Sequence, residues 1–140
     1  MKKDDCIFCK LANGIIPTNT IYEDESFRVI LDASPATKGH ALVLPKEHFA
    51  NLYELEDEYA SKLMIVAKKV VTEMTDILGC DGFNLIQNNG TVAGQTVFHF
   101  HLHLIPRYEG DKAGLTFNSG TADADFNADF VAKMAERFSK

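Results

Sequence analysis

The chain has 140 residues, 46% of them apolar, the size of one ordinary globular domain able to bury most of its foldable surface. Its 14 basic and 20 acidic residues leave a formal charge of −6, the wrong sign for holding polymeric nucleic acid by its phosphates. No apolar run reaches the length of a membrane span, and Met1-Lys2-Lys3-Asp4-Asp5 leads straight into Cys6, so a cytoplasmic protein without membrane contact is expected. Residues 6–12 read as a short amphipathic helical turn ended by Asn13-Gly14, and Pro17 starts the next segment. Residues 20–23 and 27–31 are β-rich runs split by the acidic turn Asp24-Glu25-Ser26, a hairpin pattern. A loop over 32–39 precedes a buried strand, Ala41-Leu42-Val43-Leu44, stopped by Pro45. Leu63, Val66, Ala67, Val70, Met74, Ile77 and Leu78 recur at helical spacing and predict the core face of one long helix ending at Gly79.

Residues 83–87 then read as a strand, Asn88-Asn89-Gly90 as a turn, and 96–105 as a further strand closed by Pro106. Phe126, Phe130, Ala132, Met134 and Phe138 fit a second, weaker helix over 123–139. The expected fold class is α+β: an antiparallel sheet of about five strands, covered on one face, with one long helix and a C-terminal helix. Residues 1–140 read as one domain, with a core at about 6–108 and a tail over 109–140.

The histidine-rich strand carries the chemistry. His99, His101 and His103 alternate with apolar residues, so a pleated strand sets the three imidazoles on one face and Phe98, Phe100, Leu102 and Leu104 on the other. Same-side neighbours lie roughly 6.5–7 Å apart, a span that a phosphate group bridges more readily than a small ion. Imidazoles near neutral pH can divide the tasks of nucleophile and hydrogen-bond donor. Two histidines at this spacing are also compatible with a catalytic zinc site. Upstream, Gly94-Gln95-Thr96 offers backbone N–H groups, an amide and a hydroxyl to an anion. Cys6 and Cys9 form a C-x-x-C pair, open to readings as half of a metal site, two buried thiols or a redox pair; Cys80 is expected to be a passive small residue.

The run from Gly94 to His103, taken with Cys6-Ile7-Phe8-Cys9-Lys10, Ile16-Pro17, Tyr22-Glu23-Asp24, Leu31-Asp32, Lys38-Gly39-His40, Leu44-Pro45-Lys46-Glu47-His48 and Asn88, resembles the histidine-triad superfamily of nucleotide-binding hydrolases and transferases. These segments cover residues from about 6 to 108. The resemblance implies that His101 is the nucleophile attacking the α-phosphorus to form a transient nucleotidyl-histidine, with water then releasing AMP. It implies that His103 hydrogen-bonds the α-phosphate, that Gln95 and Thr96 contact its oxygens or the leaving group, and that Gly94 and Asn88 belong to the same phosphate site. It further implies that Asp32 accepts the ribose hydroxyls and that Ile7, Phe8, Leu11 and Ile30 form the slot for a purine base. Ala33 departs from the larger aliphatic residue of the family and widens that slot. His40 is placed behind the triad as a neighbour orienting His101.

In a bacterial branch of the family, residues similar to Cys6, Cys9, His48 and His99 hold a structural Zn2+, which makes His99 structural; no organic cofactor is implied. The family also implies a homodimer whose C-terminal segments approach the partner's site. Two leaving groups stay open, an amine in a phosphoramidate and a nucleotide in a dinucleoside polyphosphate, and Arg107 could favour the second by binding extra phosphates. A nucleotide-binding adaptor or signalling module with residual turnover is the reading from a different class.

Overall fold

A computed structural model describes residues 2–139. Five strands form one antiparallel open sheet: β1 (Thr20–Glu23), β2 (Phe27–Leu31), β3 (Ala41–Pro45), β4 (Gly82–Ile86) and β5 (Leu102–Arg107), in the order β1-β2-β3-β5-β4. Three helices accompany them: α1 (Ile7–Ala12), α2 (Asp57–Leu78) and α3 (Ala124–Phe138). The α+β expectation, with its five strands, holds. Among the described residues no helix is long and apolar enough to cross a membrane.

Alternation along β2 and β5 divides the apolar residues between two faces. Phe27, Val29, Val43, Phe100, Leu102 and Leu104 meet Leu63, Val66, Ala67, Val70 and Met74 of α2 in the main core. On the other face Ile30, Leu42 and Leu44 pack with Ala12, Phe8 and Leu11 of the α1 segment. Gly79 ends α2 in the left-handed conformation, its N–H on the Thr75 carbonyl, as the sequence predicts. In the helix's last turn, however, Ile77 is 80% exposed and Leu78 37%, so neither belongs to the core as its spacing predicts. The C-terminal helix is also present, capped by Asp123 Oδ1 on the Phe126 N–H, but no residue in it is buried.

The histidine strand is shorter and later than expected. Residues 96–101 are not laddered, and β5 begins only at Leu102. The register Val43↔Leu102 and Ala41↔Leu104 would next set Pro45 against Phe100. Pro45 has no N–H to give, so the ladder stops, and its carbonyl instead accepts from His99 Nε2 at 2.8 Å. Nor does Pro106 close β5, which runs on to Arg107 with Pro106 opposite Phe83 of β4. The Pro106 carbonyl accepts the Thr37 hydroxyl at 2.6 Å on the side where β3 has already ended at Ala41, so the missing N–H costs no sheet bond.

Candidate active site and metal centre

Release of residues 96–101 from the ladder sends the three histidines to different tasks. His101 and His103 remain neighbours, ring centroids 5.0 Å apart, whereas His99 is fully buried and turned toward the cysteines. Phe98, expected in the core, is 48% exposed.

Hydrogen-bond partners assign the protons on His101, His40 and His103, because a carbonyl only accepts and an amide N–H only donates. His101 Nδ1 lies 2.7 Å from the His99 carbonyl, so Nδ1 carries the proton and Nε2 keeps its lone pair. The Ala36 N–H donates to His40 Nδ1 at 2.9 Å, which puts the His40 proton on Nε2. That Nε2–H donates to His103 Nδ1 at 2.9 Å, so the proton of His103 sits on its own Nε2. The pair is a bare nitrogen beside an N–H donor, the complement that phosphoryl transfer requires. Burial lowers the pKa of His101, and it takes His103 down to about 4 with the nearby His101 and His40 rings adding to the effect. Burial thus favours the neutral form of both rings.

The expectation for His40 changes partner: it bonds His103, not His101. Asp32 Oδ2 lies 3.5 Å from the same His40 nitrogen, while its Oδ1 accepts the Ser34 N–H at 2.8 Å. Asp32 Oδ2 and His103 Nδ1 thus converge on the one Nε2–H of His40, the shorter bond going to His103.

These groups open on a cleft of about 590 Å³ that Phe8, Leu11, Ile30, Asp32, Ala33, Asn88, Gly94, Thr96, His101 and His103 all line, together with Pro17, Thr18 and Leu42. Its volume falls within the usual range for small-molecule sites. The edge of the Phe8 ring meets His101 with centroids 4.9 Å apart, walling one side. Gly94 has φ +102, a conformation that side chains disfavour, and this turn sets the loop beside the Asn88 amide.

Two expected residues lie elsewhere. Gln95 is 2% exposed, and its amide accepts from the Gly90 N–H and donates to the Ala50 and Val97 carbonyls. Those bonds consume the side chain in bracing the loop, so it does not reach the cleft as a phosphate contact. Ile7, half-exposed, lines an adjoining cleft with Val97 and Phe98 instead of the base slot. Arg107 is also occupied: it grips Asp111 through Nε and Nη2 at 2.9 and 2.7 Å and the Asn84 amide oxygen at 2.8 Å. Backbone partners such as the Ala36 N–H and the Pro45 carbonyl had no signal in the sequence, since any residue supplies them.

The second cluster brings Cys6, Cys9, His48 and His99 together, one donor atom from each lying within 4.8 Å of the others. His99 Nε2–H is spent on Pro45, so its bare Nδ1 faces Cys6 Sγ and Cys9 Sγ, each 3.4 Å away. His48 Nδ1 stands 3.4 Å from Cys9 Sγ. With Zn–S near 2.3 Å and Zn–N near 2.0 Å, a tetrahedral edge between sulfur and nitrogen is about 3.5 Å, so this S2N2 set fits zinc. Burial holds His99 down to about 4 and raises the Cys9 thiol, which keeps the imidazole neutral for ligation. The Cys9 and Lys3 N–H groups donate to Cys6 Sγ and Cys9 Sγ, a second shell suited to thiolates.

Residues 13–110 match the HIT domain family. The chain belongs to the HIT family. Among its HIT relatives, an uncharacterized HIT-like protein of Methanocaldococcus jannaschii is 50% identical over 112 residues, 80% of this chain and 86% of that protein. An adenosine 5'-monophosphoramidase of Schizosaccharomyces pombe is 44% identical over 102 residues, 73% of this chain and 74% of its own. Of the solved structures, one of a Streptococcus mutans protein superposes with a TM-score of 0.90 at 38% identity, covering 96% of this chain and 86% of that one. A Zn-bound histidine triad family protein from Mycobacterium smegmatis gives 0.74 at 38% identity, covering 96% of each chain.

Proposed function

We propose that this HIT protein is a nucleotide hydrolase that releases AMP from a leaving group on the α-phosphorus through a covalent intermediate on His101. The observation that carries this reading is the proton assignment, a bare His101 Nε2 beside the Nε2–H of His103 in a nucleotide-sized cleft. Kinship with a protein named as a monophosphoramidase supports it. The base lies in the apolar slot of Phe8, Leu11 and Ile30, the ribose hydroxyls on Asp32, and the phosphate against Asn88, Thr96 and His103. His101 Nε2 attacks phosphorus in line, the bond to the leaving group breaks, and the leaving atom takes a proton from solvent. Water then attacks the same phosphorus, the P–N bond to His101 breaks, and the proton that water loses restores the balance.

A structural zinc on Cys6, Cys9, His48 and His99 fits this scheme; when bound it supplies only cross-linking, tying the N-terminal turn and the segment after Pro45 to the histidine segment. The cysteines are free and each faces an imidazole nitrogen, which favours ligation over a redox pair. A homodimer accords with the open edge of β4 and with Met64 and Ile65, 58% and 64% exposed on α2.

The test is release of AMP from adenosine 5'-phosphoramidate by wild type and His101→Ala. Deleting an essential nucleophile should remove roughly 10³-fold of rate or more. A trapped reaction should show an adduct of adenylate mass on the His101 peptide. Undiminished turnover by the variant would sink the reading.

A further inference from the structure

Two of the four candidate metal ligands sit on main-chain segments that lead directly to His101. His99 and Phe100 are joined by one planar peptide unit, whose C=O and N–H point in opposite directions. The C=O accepts the His101 Nδ1–H at 2.7 Å, and the N–H donates to the Phe49 carbonyl at 2.6 Å. Each end of that unit therefore adjoins a candidate ligand, His99 itself on one side and His48, the residue before Phe49, on the other. The connection goes one residue further: the Ala50 carbonyl accepts Gln95 Nε2–H at 2.7 Å, and Gln95 braces the loop that carries Thr96 to the cleft. Residues 48–50 thus give one group each to the metal cluster, to the peptide behind His101 and to the phosphate loop.

Resting on the hydrolase reading, we infer that His48 and His99 are positioning residues for the nucleophile, aiming the His101 ring through the peptide between His99 and Phe100 when both ligate zinc. That peptide's carbonyl is the partner that keeps the proton of His101 on Nδ1 and leaves Nε2 bare. Because residues 96–101 lie outside the sheet ladder, no neighbouring strand holds the peptide in register. Its fixed points are the Phe49 carbonyl and the His99 ring, which is seated between the Pro45 carbonyl at 2.8 Å and two thiols at 3.4 Å. A thiol is a weak hydrogen-bond donor, so ligation to a shared ion is what makes these seats rigid. The nucleoside slot is built differently. Ile30 lies in β2, Asp32 follows it and Leu42 lies in β3, all held by the sheet ladder and not by the cluster. Nucleotide affinity and alignment of the nucleophile therefore come apart when the ion is lost.

The test compares zinc-loaded wild type, wild type stripped by a chelator, His48→Ala and His48→Cys, all as the full chain at one pH. Ring-nitrogen NMR on isotope-labelled histidines reports which nitrogen of His101 bears hydrogen, calorimetry gives the Kd for AMP, and adenosine 5'-phosphoramidate gives kcat. Zinc-loaded wild type should show the single Nδ1–H form. Stripped wild type and His48→Ala should show an average of both ring forms and a kcat lower by about tenfold, the scale of one lost neutral hydrogen bond. Their Kd for AMP should stay within about threefold of wild type, which also reports that the cleft is folded. His48 presents Nδ1, the ring nitrogen nearer the main chain, so a cysteine sulfur reaches the same place; His48→Cys should keep zinc, the Nδ1–H form and kcat. An unchanged His101 form in the stripped protein overturns the inference, as does a loss of kcat and AMP affinity together, in proportion to a lowered melting temperature. Wild type that takes up no zinc overturns it as well. If zinc-loaded wild type releases no AMP, the hydrolase reading fails, and the His101 spectrum alone then decides the positioning.

Discussion

Replacing His40 with phenylalanine keeps a ring of similar shape in a nearly closed site, 7% exposed, and removes both of its hydrogen-bonding nitrogens. Two bonds of 2.9 Å disappear, the one accepted from the Ala36 N–H and the one donated to His103 Nδ1. At about 1 kcal/mol each, with a further penalty for partners left unpaired, stability should fall by about 2–3 kcal/mol, within what a folded domain tolerates. The effect on turnover has a separate origin. Without the His40 donor, His103 is free to move its proton to Nδ1 and to rotate, so the N–H aimed at the phosphoryl group is no longer fixed. A hydrogen bond to a charged oxygen is worth about 1.5–3 kcal/mol, which sets the loss in kcat at about 10- to 100-fold. His40→Gln supplies the discriminating control, since an amide N–H can still reach the acceptor on His103. Steady-state AMP release from adenosine 5'-phosphoramidate, measured well below the melting temperature of each variant, should rank wild type, then Gln, then Phe in kcat. If kcat in His40→Phe stays within about twofold of wild type, or if both variants lose activity only in proportion to their lowered melting temperatures, the proton chain is not what sets His103.

Three other perturbations reach different parts of the fold. Zinc should be found at about one ion per chain by elemental analysis, and both chelation and Cys9→Ser should lower the melting temperature while leaving α2 helical by circular dichroism, because the ion ties the N-terminal turn, the segment after Pro45 and the histidine segment but not α2. Acid should weaken the protein through His103, whose pKa is lowered from 6.5 to about 4: the unfolded chain takes up that proton first, so stability is complete above pH 6.5, falls between 6.5 and 4 and is level below. The share of this one group is at most about 3 kcal/mol, and urea midpoints at pH 7 and pH 4.5 should differ less in His103→Asn than in wild type. Gly39→Ala should cost about 1–3 kcal/mol in a urea melt, because φ is +94 there and the new Cβ would stand 2.9 Å from Leu78 Cδ1 and 3.3 Å from Pro106 Cγ. An unchanged midpoint would mean that the turn relaxes freely.

Much of the site was legible because its residues declare themselves by type. The alternation of His99, His101 and His103 with apolar neighbours announced two faces, and Phe100, Leu102 and Leu104 do enter the core. The pair Cys6 and Cys9 left a metal site, buried thiols and a redox pair open, and the structure gathers it with His48 and His99. What the pattern misjudged was decided by partners distant in the chain. Periodicity assigned Ile77 and Leu78 to the core because it records spacing along a helix and not how closely the sheet packs there; both stay exposed at a cleft that they line with Ile21, Tyr22 and Leu31. Gln95 looked like an anion contact until the loop that it braces, from Gly90 to Val97, was closed around it.

The sequence by itself determined the inventory: which groups can attack phosphorus, which can ligate a soft metal, and which strands and helices the apolar periods demand. Those follow from side-chain chemistry and from the 2.0 and 3.6 residue repeats, which are local properties of the chain. Tertiary structure decided how the three histidines divide their tasks. Pro45 lies opposite Phe100 and has no N–H to continue the ladder, so the chain swings free there; His99 turns to the thiols, and the Pro45 and His99 carbonyls, the Ala36 amide and the His40 ring fix where His99, His101, His40 and His103 keep their protons. Whether a histidine is a ligand, a nucleophile or a donor depends on which of its two nitrogens bears hydrogen, and the atom across the hydrogen bond sets that choice.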